Sequence, residues 1–180
     1  MVNCIAVVAE GGHMSKSNIC IVGLTKQLTE TICRQLSIKL DMFYANVQDI
    51  LEFELMDLLR VEQVCGHEYI LKEERSVIKR VATYENTLIN IQYSSLNNES
   101  SLAVVQENCL IIYLRLNEDR YVLELERENI QDNEKELNLA VFNDRDFICR
   151  KISDLTIDCL NMNEEQLETS IIEQILRFYS

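Results

Sequence analysis

Residues 18–40, NICIVGLTKQLTETICRQLSIKL, decide the fold. Asn18 to Gly23 is a short apolar run ending on glycine, the pattern of a strand buried on both faces of a parallel sheet. After a turn, Leu28, Ile32, Leu36 and Leu40 recur every fourth residue and set one apolar stripe along a helix. Strand, turn and helix, with glycine at the strand end, make the frame of a phosphate-binding loop. The loop chemistry is absent from that frame. It needs G-x-x-x-x-G-K-[ST], in which glycines let backbone N–H groups close on phosphate oxygens, lysine neutralises them and the hydroxyl holds magnesium. Counting from Gly23, the second glycine position holds Leu28, the lysine position Thr29 and the hydroxyl position Glu30. A carboxylate there repels a phosphate unless a metal intervenes.

The 180 residues suffice for one domain with a full core. With 47% apolar and 26% charged residues the chain reads as globular. It has no run of eighteen apolar residues, so no membrane span is expected. The formal charge of −13 counts against non-specific nucleic-acid binding, because phosphates would be repelled over the whole surface. No basic cluster offsets it to make a pocket for ATP. The seven cysteines are odd in number, lack C-x-x-C spacing and lie mostly in apolar runs. They read as reduced, buried thiols of a cytoplasmic protein rather than as a disulfide frame or a metal site. His13 and His67 are the two histidines, too few for a zinc centre. There is no proline, and there are four glycines where about thirteen would be average. Little glycine remains for close backbone approach to phosphates.

Residues 1–13, MVNCIAVVAEGGH, precede a second methionine, Met14. They read either as an N-terminal extension, non-native or accessory, whose Gly-His-Met junction resembles a cloning remnant, or as an added edge strand from Val2 to Ala9. Ile5 to Val8 is too short for a signal-peptide core. Residues 14–180 form a single domain. Beyond the first helix, Met42 to Tyr44 reads as a short strand and Asn46 to Arg60 as one helix. Gly66 marks a turn before a helix from His67 to Tyr84. Thr87 to Tyr93 is a strand, Ser94 to Ser101 a loop and Leu102 to Asn108 a short helix. Cys109 to Leu116 is the most strand-like run of all. Asn117 caps a helix that reaches about Glu128. Ile130 to Glu136, polar and acidic, reads as mobile. A short helix from Asn143 to Lys151 and a strand from Leu155 to Cys159 follow. Asn163 and Gln166 form a capping-box pattern, and Leu167, Ile171, Ile175 and Tyr179 line a closing helix. This alternation predicts an α/β fold: a three-layer α/β/α domain with a parallel sheet of about five strands. Ligands in such sheets bind at the carboxyl ends of the strands, here beyond Gly23, Tyr44 and Tyr93.

In element order, length and local text, residues 17–179 resemble shikimate kinase, a small P-loop kinase. The segments that carry the resemblance are ETICRQLSIKLDMFY (30–44), NCLIIYLRLNEDRYVLEL (108–125), DRDFICRKISDLTID (144–158) and LNMNEEQLETSIIEQIL (160–176). The resemblance implies the P-loop kinase fold and, in an intact member, ATP, magnesium and phosphoryl transfer. The family's functional residues carry over only in part. In the vestigial phosphate loop Gly23 and Thr31 match, with Lys26 and Thr29 between them. The aspartates that follow the family's second strand become Ala45 and Val47. The arginine that grips the shikimate carboxylate aligns with Ile70-Leu71, and the glycine triplet after the third strand with Gln92-Tyr93-Ser94. The lid arginine that contacts ATP has no counterpart in Asn129 to Glu136. Arg145 stands where the family has its second carboxylate-binding arginine, although the proline and tyrosine that follow become Phe147 and Cys149. Val47, Leu71 and Tyr93 predict a pocket that is apolar and smaller than the family's.

The expected site therefore comprises a vestigial phosphate loop of Gly23, Lys26, Thr29 and Thr31, with Arg145 as a substrate-binding residue, no catalytic residue and no metal. Several side chains admit two readings. Lys26 is either a displaced phosphate lysine or a solvated turn residue. Asp49 and Glu52 are either substitute metal ligands or a solvated acidic face. Glu30 is placed to pair with Lys26 at the surface, worth about 0–1 kcal/mol. Arg145 either binds an anion or salt-bridges to Asp146 or Asp154. His67 reads as a helix-start residue, and Ser94 and Ser95 lack triad partners. Phosphoryl transfer is mostly positioning and charge stabilisation, so these losses point to an inactive shikimate-kinase-like protein acting through protein contacts or ligand sensing. The alternatives are an ATP-dependent small-molecule kinase using Lys26, Thr31 and Arg145, and an acidic structural subunit of a complex. No cofactor is expected, with ATP and magnesium belonging only to the kinase alternative. A protein partner or a homodimer is expected, in the cytoplasm.

Overall fold

The computed structural model describes residues 16–180. The expectations for residues 1–13, Cys4 and His13 among them, lie outside the described residues. In chain order the elements are β1 (Asn18–Gly23), α1 (Lys26–Lys39), β2 (Phe43–Asn46), α2 (Val47–Leu55), α3 (Leu58–Cys65), α4 (His67–Ala82) and β3 (Thr87–Gln92). These are followed by α5 (Glu99–Asn108), β4 (Cys109–Arg115), α6 (Glu118–Arg127), α7 (Asp132–Ala140), α8 (Phe142–Ile152), β5 (Leu155–Asp158) and α9 (Glu164–Tyr179). The five strands pair in parallel in the order β2-β3-β1-β4-β5.

The first strand sits at the centre of the sheet, which is why its run is apolar without alternation. Ile21 lies opposite Asn90 of β3 and Ile112 of β4. Ile19 and Ile21 point to one face, where α1 contributes Leu28, Ile32 and Leu36 and α9 contributes Leu167, Ile171 and Ile175. Cys20 and Val22 point to the other, onto Val77, Ile78 and Val81 of α4 and Val105 of α5. The connection leaving β1 runs past β3 to β2, while that leaving β3 runs past β1 to β4. The two depart to opposite sides, so a crevice opens at the carboxyl ends of β1 and β3.

Scarce glycine shapes the turns. Asp41, Asn86, Asn129 and Asn161 adopt positive φ, the conformation that asparagine and aspartate tolerate better than other residues with a side chain. The expected single helix from Asn46 to Arg60 is instead two, α2 and α3, broken at Met56. Met56 has φ 60° and ψ −54°, and the Asp57 N–H donates to the Leu55 carbonyl at 2.7 Å. This is the strained γ-turn of positive φ, which an apolar pattern cannot announce. The Asp57 side chain then caps α3 by accepting from the Arg60 N–H at 3.0 Å.

Two further expectations are corrected. The loop expected over Ser94 to Ser101 is a 3₁₀ turn from Tyr93 to Asn97 followed by the start of α5. The helix begins early because the Asn98 side chain accepts from the N–H groups of Ser100 and Ser101. The segment Ile130 to Glu136, expected to be mobile, leads into α7. Asp132 and Glu134 lie in that helix's first turn, where acidic residues suit the helix dipole. The expected capping box of α9 is present in full: Asn163 Oδ1 accepts from the Gln166 N–H and Gln166 Oε1 from the Asn163 N–H. No helix among the described residues is long and apolar enough to cross a membrane.

Candidate functional site

A cleft of about 290 Å³ opens at the carboxyl ends of β1, β2 and β3. Gly23, Lys26, Thr29 and Arg145, four of the five expected site residues, all border it, and Thr31 does not. The phosphate loop itself is missing as a loop. Only Leu24 and Thr25 separate β1 from α1, and Lys26 to Leu28, which stand at loop positions, form the first turn of the helix. Without glycines to hold an open cradle, these residues take the helical conformation that their propensities favour.

Thr29 fills the space beside Gly23. A Cβ on Gly23 would meet Thr29 Oγ1 at 2.0 Å. The Thr29 hydroxyl turns back to donate to the Thr25 carbonyl at 2.6 Å, so its one proton is spent within the helix. The Thr25 side chain makes no cap, and α1 has no acidic residue in its first turn. A cap arrives from elsewhere in the chain: the Gln27 N–H donates to Glu128 Oε1 at 2.7 Å. The carboxylate thus lies where a helix N-terminus would hold an anion.

Lys26 is exposed and enters no ion pair among the described residues. Glu30 pairs with Arg34, one turn along the helix, at 2.8 Å, which corrects the expected Glu30–Lys26 pair. Arg34 also reaches Asp49 at 3.3 Å, and Glu52 accepts from Gln48 Nε2 at 2.9 Å. Among the described residues no group of three or more histidine, cysteine or acidic side chains is placed to hold a metal. At the aspartate positions, Ala45 and Val47 are buried core residues. Asn46, between them, spends its side chain on capping α2.

Arg145 pairs with neither Asp146 nor Asp154, the salt bridges of its second reading. Its Nη1 donates to Asn138 Oδ1 at 2.7 Å, and its guanidinium lies over the Tyr93 ring, 5.5 Å from the centroid. Neighbours in helical sequence point in different directions, and Asp146 faces the sheet. There it accepts from the Tyr113 hydroxyl at 3.1 Å and pairs with Arg115 at 3.1 Å and Arg150 at 3.0 Å. Asp154 pairs with Lys16 at 2.9 Å. Arg145 is therefore held by a neutral amide and an aromatic face, with its charge unneutralised by either.

Tyr121 of α6 borders the same cleft. The residue is 0% exposed, yet its hydroxyl has no hydrogen-bond partner. Burial raises its phenol above the ordinary value, and the nearby Arg145 guanidinium opposes the rise. Across the cleft, Glu74 accepts from the Ser95 hydroxyl at 2.7 Å. Asn46, Gln48, Asn90 and Asn138 share its wall with Leu24, Val47, Ile91 and Tyr93, so the cleft is mixed where an apolar one was expected; Val47 and Tyr93 line it as expected and Leu71 does not. Its charged side chains balance, Lys26 and Arg145 against Glu74 and Glu128.

The sequence missed Glu128, Tyr121, Asn138 and Glu74. The one available signal lay in α1, whose start lacks an acidic first turn and so leaves room for a distant cap. The thiols behave as expected of buried cysteines. Burial pushes those of Cys109, Cys149 and Cys159 up to about 12, and raises those of Cys20 and Cys33 well above the ordinary thiol value. Cys65 is exposed. His67 Nδ1 lies 2.7 Å from Glu62 Oε1, well outside the cleft.

The residues present do not fit a nucleotide with its magnesium. Residues 26–28 are helical, Thr29 packs against Gly23, Ala45 and Val47 are buried and apolar, and a carboxylate caps the N-terminus of α1.

No protein-family model matches the chain, and no curated protein matches it in sequence. Solved structures do match in shape. A shikimate kinase from Acinetobacter baumannii, determined in complex with shikimate, superposes with a TM-score of 0.79 at 15% identity, over 91% of this chain and 94% of that one. The enzyme from Bacteroides thetaiotaomicron gives 0.76 at 14% identity, over 88% and 98%. That from Aquifex aeolicus gives 0.71 at 16% identity, over 88% and 96%. Likeness at such identity establishes architecture: this chain has the α/β fold of the shikimate kinases.

Proposed function

We propose that this is a shikimate-kinase-like protein that has given up phosphoryl transfer and acts by binding a small polar ligand in its cleft. The observation that carries the proposal is the closure of the phosphate loop into α1, with Thr29 packed against Gly23. Phosphoryl transfer rests on a cradle, a lysine and a metal acting together. Here Thr29 stands for the lysine, Leu28 for the second glycine, and Ala45 and Val47 for the two aspartates that follow the family's second strand. What the cleft retains is recognition chemistry. Arg145, with its charge unneutralised by Asn138 or Tyr93, suits an anionic group. The amides and hydroxyls on the walls suit a polar, hydroxyl-bearing body. No cofactor is needed for such a role. A cytoplasmic setting agrees with five buried, free thiols.

A thermal-shift titration with Mg-ATP, Mg-ADP and shikimate tests this. A ligand at a hundred times its dissociation constant stabilises the fold by about 2.7 kcal/mol, a readily visible shift. The expected result is no response to either nucleotide and a response to a small carboxylate that Arg145→Met abolishes. A saturable shift with Mg-ATP together with ATP turnover lost in Lys26→Ala would return the kinase alternative.

A second reading, as a subunit that acts through protein contacts, has its own support. Phe53, Met56, Leu59 and Val64 of the α2–α3 region are exposed, and α3 buries no residue fully. Apolar side chains grouped in this way often mark contact surfaces. Sedimentation equilibrium of the purified chain tests the homodimer form of this reading, which requires a mass near twice 21.0 kDa.

A further inference from the structure

We infer that Glu128 is a built-in occupant of the cleft's anion position, and that its carboxylate is what excludes phosphate-bearing ligands from the N-terminus of α1. The inference rests on the reading that the cleft binds ligands without transferring phosphate.

The geometry is local and specific. Helix α6 ends in a Schellman motif, with Glu128 as its C-cap and Asn129 in the left-handed conformation at φ 56°. The Ile130 N–H donates to the Leu125 carbonyl at 3.2 Å and the Asn129 N–H to the Glu126 carbonyl at 3.1 Å. These two bonds fix the backbone of Glu128 at the edge of the cleft. Its side chain then accepts from the Gln27 N–H at 2.7 Å. The bond joins residues 101 positions apart in sequence. It brings a negative charge to the positive end of the helix dipole, where charge-assisted bonds are shorter and stronger than neutral ones. The exposed lysine of the helix's first turn, Lys26, borders the same cleft.

A second feature of the cleft calls for a ligand independently of the helix end. The Tyr121 hydroxyl is buried with no hydrogen bond of normal geometry, beside the Arg145 guanidinium on the same wall. A buried hydroxyl left unmade costs free energy that an incoming acceptor would recover. The cleft therefore offers donors from Tyr121, Arg145 and the α1 N-terminus, and the last of these is already taken by Glu128. An incoming phosphate meets both a filled position and a like charge.

Inorganic pyrophosphate without magnesium is the probe, titrated by calorimetry and thermal shift into the wild-type chain, Glu128→Ala and Glu128→Gln. Glutamine keeps an oxygen for the Gln27 N–H and removes the charge, so it preserves the cap if alanine weakens the fold. The wild type is expected to show no saturable response at millimolar pyrophosphate. Each folded variant is expected to give a saturable response, tighter than the wild type by about two- to thirtyfold, the range of a charge at a helix terminus. Adding Lys26→Ala is expected to remove the gained binding, which locates it at the α1 N-terminus. Folded variants that remain unresponsive would reduce Glu128 to a structural cap and overturn the inference, leaving the binding role of the cleft intact. Wild type that binds pyrophosphate as tightly as the variants would also overturn it. The reading beneath it fails separately, if the wild-type chain turns over Mg-ATP.

Discussion

Gly23 stands at the first glycine position of the phosphate-loop pattern, and in this fold its lack of a side chain has a packing consequence. The Thr29 side chain lies against it, so that a Cβ would be 2.0 Å from Oγ1 and 3.2 Å from the Thr29 Cβ. In an open phosphate loop the same glycine serves a ligand. Here it serves a threonine that has folded into the vacant space. The two positions must therefore be coupled. Gly23→Ala is expected to cost about 1–3 kcal/mol as overpacking in a tight site. In a Thr29→Ala background most of that cost should vanish, because the interfering oxygen and methyl are gone. Urea denaturation of the four proteins of this cycle measures the coupling, and additive effects would show that the contact is not what retains glycine. Residue-scale legibility follows the same division. Substitutions at the motif positions could be read directly from the sequence, as could the buried strand Asn18–Gly23. What Thr29 does with its hydroxyl could not, since donating to the Thr25 carbonyl depends on the helix starting three residues earlier than the motif frame implies.

At the scale of elements, apolar periodicity located every strand and most helices, because each buries a stripe that the sequence displays. It failed between Asn46 and Arg60, where the stripe runs on through a break. The backbone turns at Met56, whose side chain is 89% exposed and so leaves no mark on the pattern. A residue with a side chain at this positive φ stores strain of about 1–3 kcal/mol, which glycine would not bear. Met56→Gly is therefore expected to stabilise the protein by about 1 kcal/mol, after allowing for the greater backbone freedom of glycine in the unfolded chain. Chemical denaturation measures the change. A loss of stability would mean instead that the methionine side chain is covered in solution, as the protein-contact reading of α2–α3 requires. Ile130 to Glu136 misled for a related reason. Its polar composition resembles a mobile segment, whereas α7 is held at its start by charge: Lys135 lies 3.6 Å from both Glu126 and Asp132.

Across the whole molecule, the fold class was legible because alternating apolar strands and helices announce a parallel sheet, though not its strand order, while the cleft was legible only where a single position decides its chemistry. Glu74 reaches the cleft from α4, Tyr121 and Glu128 from α6 and its C-cap, and Asn138 from α7, and no short motif joins the three helices. The thiols have a similarly distributed consequence, visible only when the core is taken as one body. Cys20, Cys33, Cys109, Cys149 and Cys159 are buried and free, and burial raises each well above the ordinary thiol value. In the unfolded chain these groups ionise near the ordinary value of about 8.5. In the folded chain Cys109, Cys149 and Cys159 hold their protons to about 12. Between those limits the unfolded state binds fewer protons than the folded one, so stability falls as pH rises. Below about 8.5 both states are protonated at these positions and the thiols contribute no pH dependence. Within the window each such group removes about 1.4 kcal/mol per pH unit, an upper scale for groups that act independently. Denaturant midpoints taken under reducing conditions from neutral pH upward should therefore hold steady and then drop steeply above about pH 9. Replacing Cys109 and Cys159 together by alanine should lower stability at neutral pH, through lost packing, and make the alkaline decline shallower. An unchanged slope would mean that the folded chain opens and ionises these thiols before it unfolds.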